Sequence, residues 1–468
     1  MLTPILDHSS KQPLYEQIYH HIRGEMEAGR LRAGERLPSK RALAAHLKVG
    51  VITVEGAYSQ LLAEGYLRSE PKRGFFVQPL EALPTSPPAC RPIPSAAELA
   101  VSPPFQYDFS TSRVDTGLFP FATWAKLMRE VLSAREAALL SSTHPQGSPE
   151  LRRAIAEHLY RFRGIQADSE QVVVGAGSEY LIGLLVQLLG REGGYGVENP
   201  GYTKPARIFA SNGAQVVPLP LDGQGLRVDA LEAAPVRVAH VTPAHHFPMG
   251  IIMPVTRRKA LLAWAMECRE RYIIEDDYDS EYRFSGRPIP ALQSLDGGER
   301  VIYLNTFAKS LAPSLRISYM VLPPHLLERY RRELRFYSST VPAFEQYALA
   351  LFMERGHFER HLSRTRIRYK ARREALLAAA KETGLLKVGA FSGGDAGLHL
   401  LLRLHDCRSE AELAALAAKA GVGVAPLDGC YLTPPPPNQD PCLILGYTRT
   451  PPEAMEPALR RLKSVWNF

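Results

Sequence analysis

Five cysteines in 468 residues, Cys90, Cys268, Cys407, Cys430 and Cys442, are odd in number and scattered. No Cys-x-x-Cys pair occurs, so neither a disulfide framework nor a zinc site is suggested, and no metal is expected. No apolar run approaches the roughly 20 residues that span a bilayer. The N-terminus, Met-Leu-Thr-Pro-Ile-Leu-Asp, shows no charged leader before an apolar stretch. The expectation is a reducing, cytoplasmic, soluble protein. Neither sign of charge dominates. The formal net charge is +8, and residues 1–78 hold 11 Lys and Arg against 8 Asp and Glu. That bias is consistent with nucleic acid but does not by itself argue for it. What remains is ordinary globular composition, 45% hydrophobic and 22% charged, at a length that implies two or three domains.

Residues 14–27 place Leu14, Ile18, Ile22 and Met26 on one helical face. Leu37-Pro-Ser-Lys-Arg41 starts a second helix with Ser39 as N-cap and Leu43 and Leu47 on one side. A turn at Val49-Gly50-Val51 leads into a third, Thr53–Leu62, with Val54, Ala57, Tyr58 and Leu61 inward. Leu67–Glu70 and Phe75–Val77 read as two strands around Pro71-Lys-Arg-Gly74. Helix, helix, turn, helix, hairpin is the winged helix-turn-helix layout. A small helical interaction domain with a hairpin has the same periodicity. From Pro79 to Pro104 the chain holds eight prolines with Ala and Ser between them, a composition that behaves as a semi-stiff spacer. The domains read as 10–78 and 106–468, joined by a linker 79–105.

From Asp108 onward helices alternate with short apolar strands: Gln171–Val174, Tyr195–Glu198, Ala214–Pro218, Arg237–Thr242, Tyr272–Glu275 and Val301–Leu304. Such alternation implies a mostly parallel sheet covered on both faces, with ligands at the carboxyl ends of the strands. The polar motifs follow strand ends: Gly177-Ser178, Tyr202, His245, Asp276 and Lys309. The remainder reads as a smaller helix-plus-sheet domain from about residue 325 to 468. Its helices are Leu326–Phe336, Phe344–Arg364, Tyr369–Lys381 and Pro452–Val465, and its strands lie near Gly397–Leu404 and Cys442–Tyr447. The basic run Arg360–Arg373 reads as one solvated helix face, with a DNA-tracking stripe as the sharper alternative. Thr433–Asn438 is a loop that either covers the site or is merely a loop.

The strand-end residues meet the demands of pyridoxal phosphate. Gly177-Ser178-Glu179 opens a helix whose N–H groups suit a phosphate, and Arg316 supplies a guanidinium. Asp276 suits a protonated pyridine nitrogen, and Tyr278 a ring hydroxylate. Lys309, partly buried, suits imine formation. Tyr202 suits stacking or a hydrogen bond at the imine. Taken singly, each motif has a bland reading; an acidic block such as Glu275–Asp279 is more often a solvated loop or a metal site.

Two resemblances add to this. Leu37-Pro-Ser-x-Arg41, Thr53-Val-x-x-Ala-Tyr-x-x-Leu61 and Glu64-Gly-Tyr-Leu67 resemble the GntR family. That resemblance implies that Ser39, Arg41, Thr53 and the wing residues Lys72 and Arg73 approach DNA. Glu198-Asn-Pro-Gly-Tyr202, Thr242–Gly250, Glu275-Asp-Asp-Tyr-Asp-Ser-Glu281, Thr306-Phe-Ala-Lys309 with Arg316, and Gly397-Leu-His399 resemble the fold-type I aminotransferases. More narrowly they resemble the MocR/GabR-type regulators, which fuse the two modules. The resemblance implies Lys309 at the imine, Asp276 at the ring nitrogen, Tyr278 at the ring hydroxyl, Tyr202 beside the imine, and Thr306 and Arg316 at the phosphate. It also implies promoter DNA as partner and a head-to-tail homodimer.

The sequence departs from the family at several points. Gly50-Val51-Ile52 replaces the usual Ser/Thr-Arg before the recognition helix. His246 and Met249 stand for Gln and a small hydroxyl residue, and Glu179 for Gln beside the phosphate. Ile444 aligns with the Arg that grips a substrate carboxylate in related enzymes, leaving Arg449 or Lys204 as substitutes. The expectation is a PLP-binding regulator whose effector is an amino compound or PLP itself. The alternative is a working aminotransferase with a vestigial DNA-binding module.

Overall fold

The computed structural model describes residues 6–79, 105–111, 114–134, 136–284, 286, 289–394, 396–437 and 439–468. The proline-rich segment lies outside them over 80–104. The chain divides into two compact units, Met1–Val101 and Ser102–Phe468.

In the first unit, helices Leu14–Glu27, Lys40–Leu47 and Val51–Ala63 pack around Ile18, Ile22, Leu43, Val54, Tyr58 and Leu61. Ser39 caps the second helix, its hydroxyl accepting from Ala42 N at 3.2 Å. The third helix starts two residues earlier than its apolar spacing suggested, and its N-cap Gly50 offers no side chain to the free N–H groups. The hairpin Leu67–Glu70 and Gly74–Val77 gains a third strand, Arg36–Leu37, on its outer edge. Two residues are too few to show alternation, so this strand was invisible in the sequence.

The second unit is built on an eight-stranded sheet. The order is Val172–Gly175, Ser318–Val321, Val301–Thr306, Tyr272–Asp276, Val236–Val241, Gly194–Asn199, Val216–Asp222 and Gly225–Leu226. Ser318–Val321 runs antiparallel to both neighbours, and Gly225–Leu226 antiparallel to Val216–Asp222; the other pairings are parallel. The central strands are buried on both faces, which is why they read as unbroken apolar runs. A second sheet, antiparallel throughout, has the order Gly389–Ser392, His399–Leu404, Cys442–Gly446 and Ala425–Pro426. It shares a core with Leu376, Leu413, Leu459 and Trp466.

Three expectations about this half need correction. The boundary near residue 325 comes too early: Leu326, Leu327 and Tyr330 pack with Leu181 and Ile302 of the large-sheet core, and Leu349 and Phe352 pack with Leu151 and Tyr303. The expected helices Phe344–Arg364 and Tyr369–Lys381 are instead Ala343–Glu354 and one long helix, His357–Glu382. Gly356, at φ 66°, turns the chain between them. That long helix passes from the large-sheet core at Leu362 to the small-sheet core at Leu376. Its basic run is not one solvated face: Arg366 donates to Glu281 O, and buried Arg372 pairs with Asp115 and donates to Thr448 O. Among the described residues no helix is long and apolar enough to cross a membrane.

Candidate cofactor site

Strand ends on one edge of the large sheet enclose a pocket of about 260 Å³. All eight cofactor-site residues expected from the sequence line it: Gly177, Ser178, Tyr202, Asp276, Tyr278, Thr306, Lys309 and Arg316. Asp276 is the last residue of Tyr272–Asp276, and Thr306 the last of the neighbouring parallel strand. The Thr306 hydroxyl accepts from Ala308 N at 3.1 Å and caps the single helical turn Phe307–Ser310 that carries Lys309. Lys309 Nζ donates to Thr111 O at 2.7 Å. Burial holds its ammonium below the usual lysine range, with Asp279 opposing the shift.

One end of the pocket is formed where a glycine turn meets Arg316, Glu179 and Lys204. Gly177 has φ 98° and precedes helix Ser178–Leu189, whose first residues line the pocket. A Cβ at Gly177 would stand 2.1 Å from Arg316 Nη2 and push that guanidinium aside, and the φ of 98° itself favours glycine. Arg316 is itself in the left-handed region at φ 53°. Glu179 bridges the cations here, with Arg316 Nη2 at 2.7 Å and Lys204 Nζ at 2.9 Å. Those two partners hold its carboxyl down at about 2 against the opposing effect of burial.

The acidic block is not a solvated loop. Glu275 accepts from Leu292 N and Gln293 N at 2.7 and 2.8 Å, and Asp277 is buried against Arg163 and the Tyr303 hydroxyl at 2.7 and 2.5 Å. These two carboxylates fasten strands and loops, and Asp276 faces the pocket, with His240 Nε2 3.4 Å behind it. Asp279 lies 3.0 Å from His245 Nδ1, and the Tyr278 hydroxyl 3.3 Å from the same nitrogen. Burial, then the Asp279 charge, pushes the Tyr278 phenol well up. Gly397 permits the approach of the small sheet, since a Cβ there would overlap the His245 ring at 1.8 Å. Thr111 and Asp279 escaped the sequence reading. Thr111 contributes only a backbone carbonyl, which carries no residue signature.

The carboxylate-gripping position behaves differently. Ile444 is buried with Leu401, Leu427, Cys430 and Cys442 against Phe247 and Met249. Arg449 pairs with Asp108 at 2.7 Å and does not line the pocket. Lys204 does line it, tied to Glu179. Of the loop from Thr433, the Thr433 hydroxyl accepts from Asn199 Nδ2 at 2.6 Å, and no residue of 433–437 lines the pocket.

In the first unit, Arg41, Lys72 and Arg73 are exposed, Thr53 is half-buried, and Arg73 pairs with Glu70 at 2.6 Å. This unit and the pocket define a DNA-binding module joined to an aminotransferase-type cofactor domain. Residues 14–77 match the family Bacterial regulatory proteins, gntR family, and residues 107–461 match Aminotransferase class I and II. The chain is 39% identical to the uncharacterized HTH-type transcriptional regulator YhdI of Bacillus subtilis, over 99% of this chain and 98% of that one. It is 34% identical to the probable rhizopine catabolism regulatory protein MocR of Rhizobium meliloti, over 99% and 95%. A solved archaeal alanine:glyoxylate aminotransferase superposes with a TM-score of 0.70 at 26% identity, covering 80% of this chain and 93% of that one. The chain belongs to the MocR-type transcriptional regulators, which join a gntR-family module to an aminotransferase class I and II domain. Its cofactor is pyridoxal 5'-phosphate, and the glycine cradle, the guanidinium and the buried lysine fit that group.

Proposed function

We propose that this regulator binds promoter DNA through residues 10–78, and that an amino compound, or PLP itself, acting at Lys309 changes promoter occupancy. The single observation that carries this reading is the convergence of Lys309, Asp276 and Arg316 on one pocket, while Ile444, at the carboxylate-gripping position, is buried in an apolar cluster outside its lining. In our reading Arg316, Thr306 and the N–H groups after Gly177 hold the phosphate. Asp276 keeps a proton on the ring nitrogen, Tyr278 donates to the ring hydroxyl oxygen, and Tyr202 stands beside Lys309. Lys309 would hold the cofactor through its neutral amine, a form that burial favours. When bound, PLP supplies an aldehyde and an electron-accepting ring. The body 106–468 carries this site, and 79–105 serves as the spacer. A cytoplasmic head-to-tail homodimer completes the proposal, with the spacer long enough to reach a partner subunit.

The test is binding of the purified protein to DNA upstream of its own gene, at several salt concentrations, with and without PLP. Binding that exceeds random DNA and changes with PLP is expected, with visible cofactor absorption that Lys309→Ala abolishes. An unchanged spectrum in that variant rejects the lysine assignment. Sustained multiple turnovers with amino donors and keto acids, with DNA binding no better than random, favour the aminotransferase instead.

A further inference from the structure

The helix Val51–Ala63 turns Val54, Ala57, Tyr58 and Leu61 into the core of the first unit. Its opposite face presents Val51, Ile52, Glu55 and Ser59. Ile52 is 83% exposed and Val51 43%, two adjacent aliphatic side chains at the tip of a helix that none of the described residues covers. In a helix-turn-helix the N-terminal residues of this helix are the ones that touch base edges in the major groove.

The helix carries no Lys or Arg, so it lacks the paired donors that read guanine. Its one acidic group on this face, Glu55, is held by Lys40 Nζ at 2.6 Å. Cations stand beside it in the chain: Arg41 on the preceding helix, Lys48 in the turn and Lys72 at the hairpin tip are exposed. None of the three has a carboxylate partner among the described residues. Such a surface, cationic at the flanks and apolar at the tip, complements a duplex with phosphates at the groove walls and an apolar group on its floor. In the major groove that group is the 5-methyl of thymine.

We propose that Val51 and Ile52 read thymine through its methyl group, so that A·T pairs set the sequence preference at this point of the site. The proposal rests on the DNA-binding reading of this module. It turns the loss of the usual Arg at position 51 into a change of base read rather than a loss of reading.

The experiment starts from randomised duplexes enriched by the full-length protein. The enriched duplex is then synthesised with deoxyuridine replacing thymidine, one position at a time. Removing one contacted methyl is expected to weaken binding roughly fourfold, at one or two positions only. In Ile52→Ser the thymine and uracil duplexes are expected to bind nearly alike at one of those positions. Ile52 is so exposed that this variant keeps its fold. Equal affinity for thymine and uracil at every position overturns the proposal and leaves the regulator reading standing. A uracil effect that survives in both Val51→Ser and Ile52→Ser assigns the methyl to another residue and also overturns it. A pool that yields no enriched sequence overturns this proposal and the regulator reading together.

Discussion

Glu198 and His246 lie buried behind the pocket, His246 Nε2 3.5 Å from the Glu198 carboxylate, which accepts from Thr242 N and Oγ1 at 3.0 and 2.7 Å. Burial pushes Glu198 up to about 7 from an ordinary 4.5, and pushes His246 down to about 3 from 6.5. Between pH 4.5 and about 7 the folded chain keeps a proton on Glu198 that the unfolded chain has released, so this group lowers stability as pH rises through that window. His246 acts in the opposite sense between about 3 and 6.5, because there the unfolded chain holds the extra proton. Glu198→Gln keeps an acceptor for Thr242 and cannot ionise. Relative to the unaltered protein it is expected to gain up to roughly 3 kcal/mol between pH 4.5 and 7.5. Urea unfolding across that range checks this; parallel stability profiles reject it. At this scale the sequence was most legible where chemistry restricts residue type. A lysine, an aspartate and an arginine near strand ends are few enough to pick out, whereas Lys309's actual partner, Thr111 O, and the Asp279–His245 pair depend on which distant segments the fold brings side by side.

The helix Ser178–Leu189 shows what a whole element contributes, since its N-terminus faces the pocket only because Gly177 adopts φ 98° with no Cβ in the way. Gly177→Ala is expected to displace Arg316 and weaken PLP binding at least tenfold while leaving DNA binding by residues 10–78 without PLP unchanged. Titration of the visible band and a binding assay without cofactor read the two effects separately. The parallel strands were readable as apolar runs bounded by turns. Ser318–Val321, although wholly buried, was missed because only short helical turns separate it from Val301–Thr306 and it runs antiparallel, outside the strand–helix alternation of the other strands. The apolar spacing likewise runs on past Glu354, so the sequence read one helix where Gly356 ends the first and opens a second.

At the scale of the whole molecule, the two units have separate cores, one around Tyr58 and Leu61, the other distributed over two sheets. A chain shortened to 106–468 is therefore expected to fold and to show the same visible band with PLP as the full chain. Circular dichroism and absorbance decide this, and a truncated chain that fails to fold contradicts the division. The separation also bears on how the cofactor domain would act in the proposed response. Glu179 already occupies Arg316 and Lys204 with a carboxylate that stays ionised at any physiological pH. If Arg316 holds the cofactor's phosphate as proposed, that phosphate would compete with a carboxylate tethered at a high effective concentration. Such a competitor would raise the apparent dissociation constant, so that a single side chain would tune the cofactor concentration at which the site half-fills.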